Sequence, residues 1–140
     1  MTPPPPDAEG PLVLVVDDNE KNLKLVRDVL RAAGFRTLEA TTGAEAIVLA
    51  EQHLPNVILM DLRLPDMDGT EAVRTLGDGK RTASIPVVAV SSVQLEHGGD
   101  WFRALGFAGC VEKPISVRAF PDQVRSYCTN SGDDSSSPGC

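Results

Sequence analysis

The sequence predicts an α/β fold, a doubly wound parallel sheet in which five strands alternate with five helices. Three observations predict it. Short apolar runs recur along the chain without polar alternation inside them, the pattern of strands covered on both faces. Between those runs lie segments whose apolar residues stand three and four apart, the pattern of amphipathic helices. The two patterns alternate, as parallel crossover units require. A chain of 140 residues, 41% hydrophobic and 24% charged, holds one ordinary core and no comfortable second one.

The elements follow in order. "LVLVV", Leu12 to Val16, reads as the first strand. Over residues 19–33, Leu23, Val26, Leu30 and Ala33 form one helical face, and Gly34 is a stop signal. "FRTLEA" is a weaker second strand, after which Thr42 and Glu45 have capping-box spacing ahead of Ala46, Leu49 and Ala50. "NVILM", residues 56–60, is the third strand. "LPDMDG" then offers Pro65 and Gly69 for a turn, with Asp66 and Asp68 serving turn and capping chemistry and not metal. Ala72, Val73 and Leu76 mark a third helix, "IPVVAVS" over residues 85–91 a fourth strand, and Trp101, Phe102 and Leu105 a fourth helix. "FAGCVE" is a weaker fifth strand, and residues 116–127 form the fifth helix. The domain therefore spans 11–128. Residues 1–10, "MTPPPPDAEG", favour extended polyproline conformations, and "TNSGDDSSSPGC" over 129–140 is polar and rich in small residues, so both tails are expected to be disordered.

Composition excludes several classes of function. Thirteen basic residues stand against 20 acidic ones, a net charge of −7, and no basic run is present. Direct nucleic-acid binding is not expected; a protein partner or a cation is. The three cysteines, Cys110, Cys128 and Cys140, are scattered and lack zinc-site spacing. No signal-peptide pattern occurs, and no apolar run approaches the roughly 18 residues of a membrane span. A cytoplasmic protein without membrane contact is expected. His53 and His97 are isolated and read as surface residues.

Polar side chains gather at the predicted strand ends. Asp17 and Asp18 end the first strand, Asp61 the third, Ser91 the fourth, and Lys113 with Pro114 the fifth. All fall at the carboxyl edge of one sheet, where doubly wound folds collect function. Each alone reads as a cap or turn residue. Together, three carboxylates on neighbouring strands repel one another and titrate upward unless a cation holds them. Oxygen-only ligands select a hard cation, magnesium before calcium or zinc. The absence of a GxxxxGK[ST] loop argues against a bound nucleotide. A carboxylate can instead attack phosphorus and form an acyl phosphate, while metal and lysine neutralise the transferring oxygens. Asp61, single at the end of an apolar strand, is the natural nucleophile, and the Asp17–Asp18 pair suits gripping metal.

Asp17-Asp18, Asp61 in "ILMDLRLPDMDG", Ser91 in "PVVAVSS" and Lys113-Pro114 in "VEKPI" closely resemble the receiver domain of two-component response regulators. The resemblance runs from about Leu12 to Tyr127 and leaves no room for an output domain, so a stand-alone receiver is expected. It implies the (βα)5 flavodoxin-like three-layer sandwich. It implies that Asp61 accepts a phosphoryl group from a phosphohistidine on a sensor histidine kinase or histidine phosphotransfer protein. Asp18 and Asp61 would bind magnesium, or manganese, directly; Asp17 would act through water, and the backbone carbonyl of Arg63 would complete the protein ligands. Lys113 would contact the phosphoryl oxygens, the Lys113-Pro114 bond would be cis, and the Ser91 hydroxyl would reach the phosphoryl group and pull its loop inward. Such a protein takes part in its own phosphorylation and dephosphorylation without being an enzyme.

Departures from the family pattern lie elsewhere. Cys110 stands where most members carry a switch aromatic, so a rotating tyrosine or phenylalanine is excluded, and a small buried cysteine is expected instead. Gly98-Gly99 weakens the start of the fourth helix, each glycine costing about 1 kcal/mol relative to alanine. Pro121 means that the fifth helix starts late or kinks. These positions share the fourth helix, fifth strand and fifth helix, the face the family uses for partners and homodimers. Arg63 and Val93 should hinder an attacking water and slow loss of the phosphoryl group. Two other readings stay open: a pseudo-receiver that binds a partner without phosphorylation, and a magnesium phosphatase with an aspartyl nucleophile, disfavoured because Arg63 stands where a second carboxylate would be needed.

Overall fold

The computed structural model describes residues 11–61, 64, 66–67, 69–91, 106–112 and 118–129. Strands β1 (Leu12–Val16), β2 (Arg36–Ala40), β3 (Val57–Asp61), β4 (Val87–Ser91) and β5 (Gly109–Glu112) form one parallel sheet in the order β2-β1-β3-β4-β5. Helices α1 (Glu20–Ala32), α2 (Gly43–His53) and α3 (Gly69–Asp78) connect the first four strands, and a C-terminal helix covers Phe120–Thr129. The strand order is that of the flavodoxin-like doubly wound sheet. The expected fourth helix at Trp101, Phe102 and Leu105, together with residues 1–10 and 130–140 of the tails, Arg63, Pro65, Asp68, Val93, His97, Gly98-Gly99 and Lys113-Pro114, lies outside the described residues; Thr129, expected in the disordered tail, ends the C-terminal helix, and Cys110 is placed in β5 by its backbone.

The unbroken apolar runs follow from the two-residue period of a strand. In β1, Val13 and Val15 face one core while Leu14 and Val16 face the other. β3 divides in the same way, Val57 and Leu59 against Ile58 and Met60. One core is closed by Leu23, Val26 and Leu30 of α1 and by Phe120 and Val124 of the C-terminal helix. The other is closed by Ala46 and Ala50 of α2 and by Ala72, Val73 and Leu76 of α3. The sheet is thus buried on both sides, and polar groups are displaced to its edges.

Helix boundaries follow local chemistry. Asn19 caps α1, its side chain accepting the N–H groups of Lys21 and Asn22 at 2.9 and 3.3 Å. The helix gives way at Ala33 to Gly34, which takes the left-handed φ of +98°. At the end of α2, Leu54 adopts φ +48° immediately before Pro55, a left-handed cap that a leucine does not announce. The C-terminal helix corrects the expected start at residue 116. It begins at Phe120, and its first intrahelical bond runs from the Gln123 N–H to the Ala119 carbonyl at 3.0 Å. Pro121 therefore falls in the first turn, where an N–H has no helical partner to lose. Arg125 fastens this helix to the end of α1, donating to the Ala33 carbonyl at 3.1 Å and lying 5.1 Å over the Phe35 ring. Gly109 keeps β5 bare beneath Tyr127, whose ring and hydroxyl occupy the space of a Cβ.

Candidate functional site

The chain runs from β1 outward to β2 and returns across β1 to β3, so the connections after β1 and β3 leave the sheet in opposite directions. The crevice at that switch point is where such sheets bind ligands. Register brings the acidic residues to it. Val16 stands opposite Met60, so the next residue of each strand, Asp17 and Asp61, continues as a neighbouring pair. One carboxylate oxygen from each of Asp17, Asp18 and Asp61 lies within 4.8 Å of the others. On the other side of β3, Asp61 pairs with Val90, which puts Ser91, the last residue of β4, at the same edge. The structure therefore brings together Asp17, Asp18 and Asp61 and places the Ser91 backbone beside them. Arg63 and Lys113 lie outside the described residues.

The paired aspartates differ in support. Asp17 is buried, and its backbone N–H donates to the Ala40 carbonyl of β2 at 3.0 Å. Its carboxylate accepts the Asn19 N–H at 2.9 Å and the Asn22 side-chain amide at 3.3 Å. The capping segment of α1 thereby holds Asp17 in one orientation. Asp18 is exposed, beside the crevice. Two further carboxylates lie within reach of this buried acid. The donor set is oxygen only, which suits a hard divalent cation of the magnesium type. Asn22 was not a sequence candidate; its spacing of five residues from Asp17 becomes a contact only once the first turn of α1 folds back over the strand end.

A second feature was half legible. Asp66 does serve capping chemistry, as its turn context predicts, but the helix it caps is α2. One carboxylate oxygen accepts the Gly43 N–H at 2.8 Å and the other the Ala44 N–H at 3.0 Å. These two bonds hold the Asp66 carboxyl below the usual aspartate range. Thr42 caps the next position, accepting the Glu45 N–H at 3.1 Å. The Glu45 carboxylate reaches back to the Thr41 N–H at 3.0 Å, one residue before the position a standard capping box would use. Met67 closes over Gly43, where a Cβ would come within 2.6 Å of its Cγ.

Comparison with known proteins bears on this arrangement. The family model described as the response regulator receiver domain matches residues 13–125. The polar-differentiation response regulator DivK of Brucella ovis is 39% identical over 115 residues, covering 82% of this chain and 94% of the relative; the DivK of Brucella anthropi matches to the same extent. Among solved structures, the receiver domain of the sensor histidine kinase PA1611 from Pseudomonas aeruginosa PAO1, which has a magnesium ion coordinated in its active-site cleft, superposes with TM-score 0.78 at 27% identity. That alignment covers 86% of this chain and 99% of the other. The chemotaxis response regulator CheY4 of Vibrio cholerae shares the fold, with TM-score 0.78 at 23% identity over 85% of this chain and 99% of its own.

Proposed function

Because the chain belongs to the response regulator receiver family, we propose that it is a single-domain regulator, spanning residues 11–128, that carries a phosphoryl group on Asp61. The observation that carries this reading is the approach of the Asp61 carboxylate to those of Asp17 and Asp18 within 4.8 Å at the sheet's switch point. The donor is a phosphohistidine on a sensor histidine kinase or a histidine phosphotransfer protein. An Asp61 oxygen attacks phosphorus, a P–O bond forms, the P–N bond breaks, and the imidazole nitrogen leaves with the electron pair.

Asp18 and Asp61 would hold magnesium, or manganese in its place, directly; Asp17 would act through water, and the Arg63 carbonyl would complete the protein ligands. When bound, the ion supplies neutralising charge to the transferring oxygens. Asp17, fixed by Asn19 and Asn22, presents its negative charge at a constant position. Lys113 is assigned to the phosphoryl oxygens and Ser91 to hydrogen bonding with the phosphoryl group. The output is a change in protein contacts, consistent with an acidic chain that lacks a basic run. A homodimer through β5 and the C-terminal helix is one form such contacts can take. Among the described residues no helix is long and apolar enough to cross a membrane, and we assign the protein to the cytoplasm.

Incubation with acetyl phosphate and magnesium followed by intact-mass measurement tests the reading. One added phosphoryl is expected on the wild type and none on Asp61→Asn. An unmodified wild type that still captures its partner would favour the pseudo-receiver instead.

A further inference from the structure

We propose that Asn22 is a positioning residue for the cation site: its side-chain amide fixes the plane of the Asp17 carboxylate, so that divalent-cation affinity at Asp17, Asp18 and Asp61 depends on it. The inference rests on reading those three aspartates as the cation site, where each places one carboxylate oxygen within 4.8 Å of the others. The contact is direct. The Asn22 amide donates to Oδ2 of Asp17 at 3.3 Å, while the Asn19 backbone N–H donates to Oδ1 at 2.9 Å. A bond on one oxygen leaves a carboxylate free to swing about it; a second bond, on the other oxygen and from a different residue, sets its plane as well. The Asp17 main chain is itself fixed, its N–H donating to the Ala40 carbonyl of β2 at 3.0 Å. Asp17 is buried, and the described side chains that share a small cavity with it, Val16, Val26, Val90 and Phe120 among them, are apolar and offer its carboxylate no substitute donor. The amide is also neutral. A lysine or arginine at residue 22 would pair with Asp17 and oppose the ion, whereas the amide orients the carboxylate without adding a positive charge beside it.

Helix formation does not account for asparagine at this position. Residue 22 lies in the first turn of α1, and its own N–H is accepted by the Asn19 side chain at 3.3 Å. Asparagine ranks below alanine and leucine as a helix former, so the helix by itself would gain from either replacement. What asparagine adds is an amide that reaches back to the end of β1. A side chain that merely satisfied a buried acid would influence folding stability and leave cation affinity alone. A positioning residue changes the affinity.

Calorimetric titration of the full chain with magnesium separates the two roles. Asn22→Ala should weaken magnesium binding on the order of tenfold, the lower range for residues that orient a metal's ligands. Asn22→Leu, which keeps the bulk of the side chain and lacks the donor, should weaken it equally, and it supplies the measurement if the alanine variant does not fold. Asn22→Gln, which retains the amide on a longer arm, should recover part of the loss. Leu30→Ala, at a fully buried position about two helical turns farther along α1, should lower the melting temperature and leave magnesium affinity at the wild-type value. Wild-type or tighter affinity in both Asn22→Ala and Asn22→Leu would overturn the inference while leaving the cation site standing. Equal weakening by Leu30→Ala would overturn it too, since the stability of α1 would then explain the effect. A wild type that binds no magnesium would remove the cation site and the inference together.

Discussion

The helices α1 and α2 both begin at the carboxyl edge of the sheet, yet their first turns are secured in different ways. Among the described residues, the side-chain bonds at the start of α1 come from within a few residues: Asn19 caps Lys21 and Asn22, and Asp17 in turn accepts from Asn19 and Asn22. The start of α2 is shared between its own Thr42 and the distant Asp66. Their buried faces differ as well. α1 seats Leu23, Val26 and Leu30 in its core, whereas α2 seats Ala46 and Ala50. Large side chains carry α1 by burial, helped by bonds from Arg27 to Glu39 and from Arg31 to Thr37 of β2. α2, with small ones, takes part of its attachment from the loop after β3. The contrast separates a helix that folds on its own signals from one that is completed by a neighbour.

The largest effect should come from the cores. Leu30 is fully buried, and Leu30→Ala should cost about 2–5 kcal/mol, read by denaturant unfolding. The complementary change in α2, Ala50→Leu, adds volume at a fully buried site and should cost about 1–3 kcal/mol by overpacking. If Ala50→Leu were tolerated without loss, tight packing around Ala50 would not be what limits that position.

Next in size is the response to cation. Magnesium at about a hundred times its dissociation constant should stabilise the fold by about 2.7 kcal/mol. A melting-temperature series should show this rise in the wild type and its loss in Asp18→Ala. The same rise should survive Asn19→Ala in reduced form, because that cap supports the segment presenting Asp17 without itself being a ligand.

Smaller effects belong to the caps. Asn19→Ala and Thr42→Ala should each cost about 1 kcal/mol, the usual value for a lost side-chain cap. Smallest is the dependence on pH. The Asp66 carboxyl releases its proton more readily in the folded chain than in the unfolded one. Its contribution is therefore complete above about pH 4, the ordinary aspartate range, and is lost as pH falls through the lowered folded value. Asp66→Asn should flatten that part of the stability profile and lower the region above it by a constant amount without changing its slope; an identical acid limb in both proteins would show that these two bonds add nothing to stability.

Much of this was legible in the residues. The apolar runs of β1, β3 and β4 hold strands because a strand buried on both faces has few polar positions to show, whereas β2, with Arg36, Thr37 and Glu39, is only partly buried. α1 was legible at both ends, since Asn19 and Gly34 act on N–H and carbonyl groups only a turn away. The acidic site was legible for a related reason: Asp17, Asp18 and Asp61 follow apolar strands directly, and in a parallel sheet those ends share an edge. Other features were not. For the C-terminal helix Pro121 announced a late start or a kink, and the choice of a start at Phe120 is settled by packing against the sheet and α1. Leu54 takes a left-handed conformation that its side chain disfavours, and only the continuation into Pro55 and β3 calls for it.

By itself the sequence determined which of the described segments are strands and helices, where α1 begins and ends, and which acids stand at strand ends. All of these depend on interactions within about one helical turn or one strand pleat. Tertiary structure alone decided how closely Asp17 approaches Asp61 and that Asp66 caps α2. Those facts depend on the order β2-β1-β3 and on where two crossovers return the chain, a choice among long-range pairings to which no short stretch of residues is sensitive.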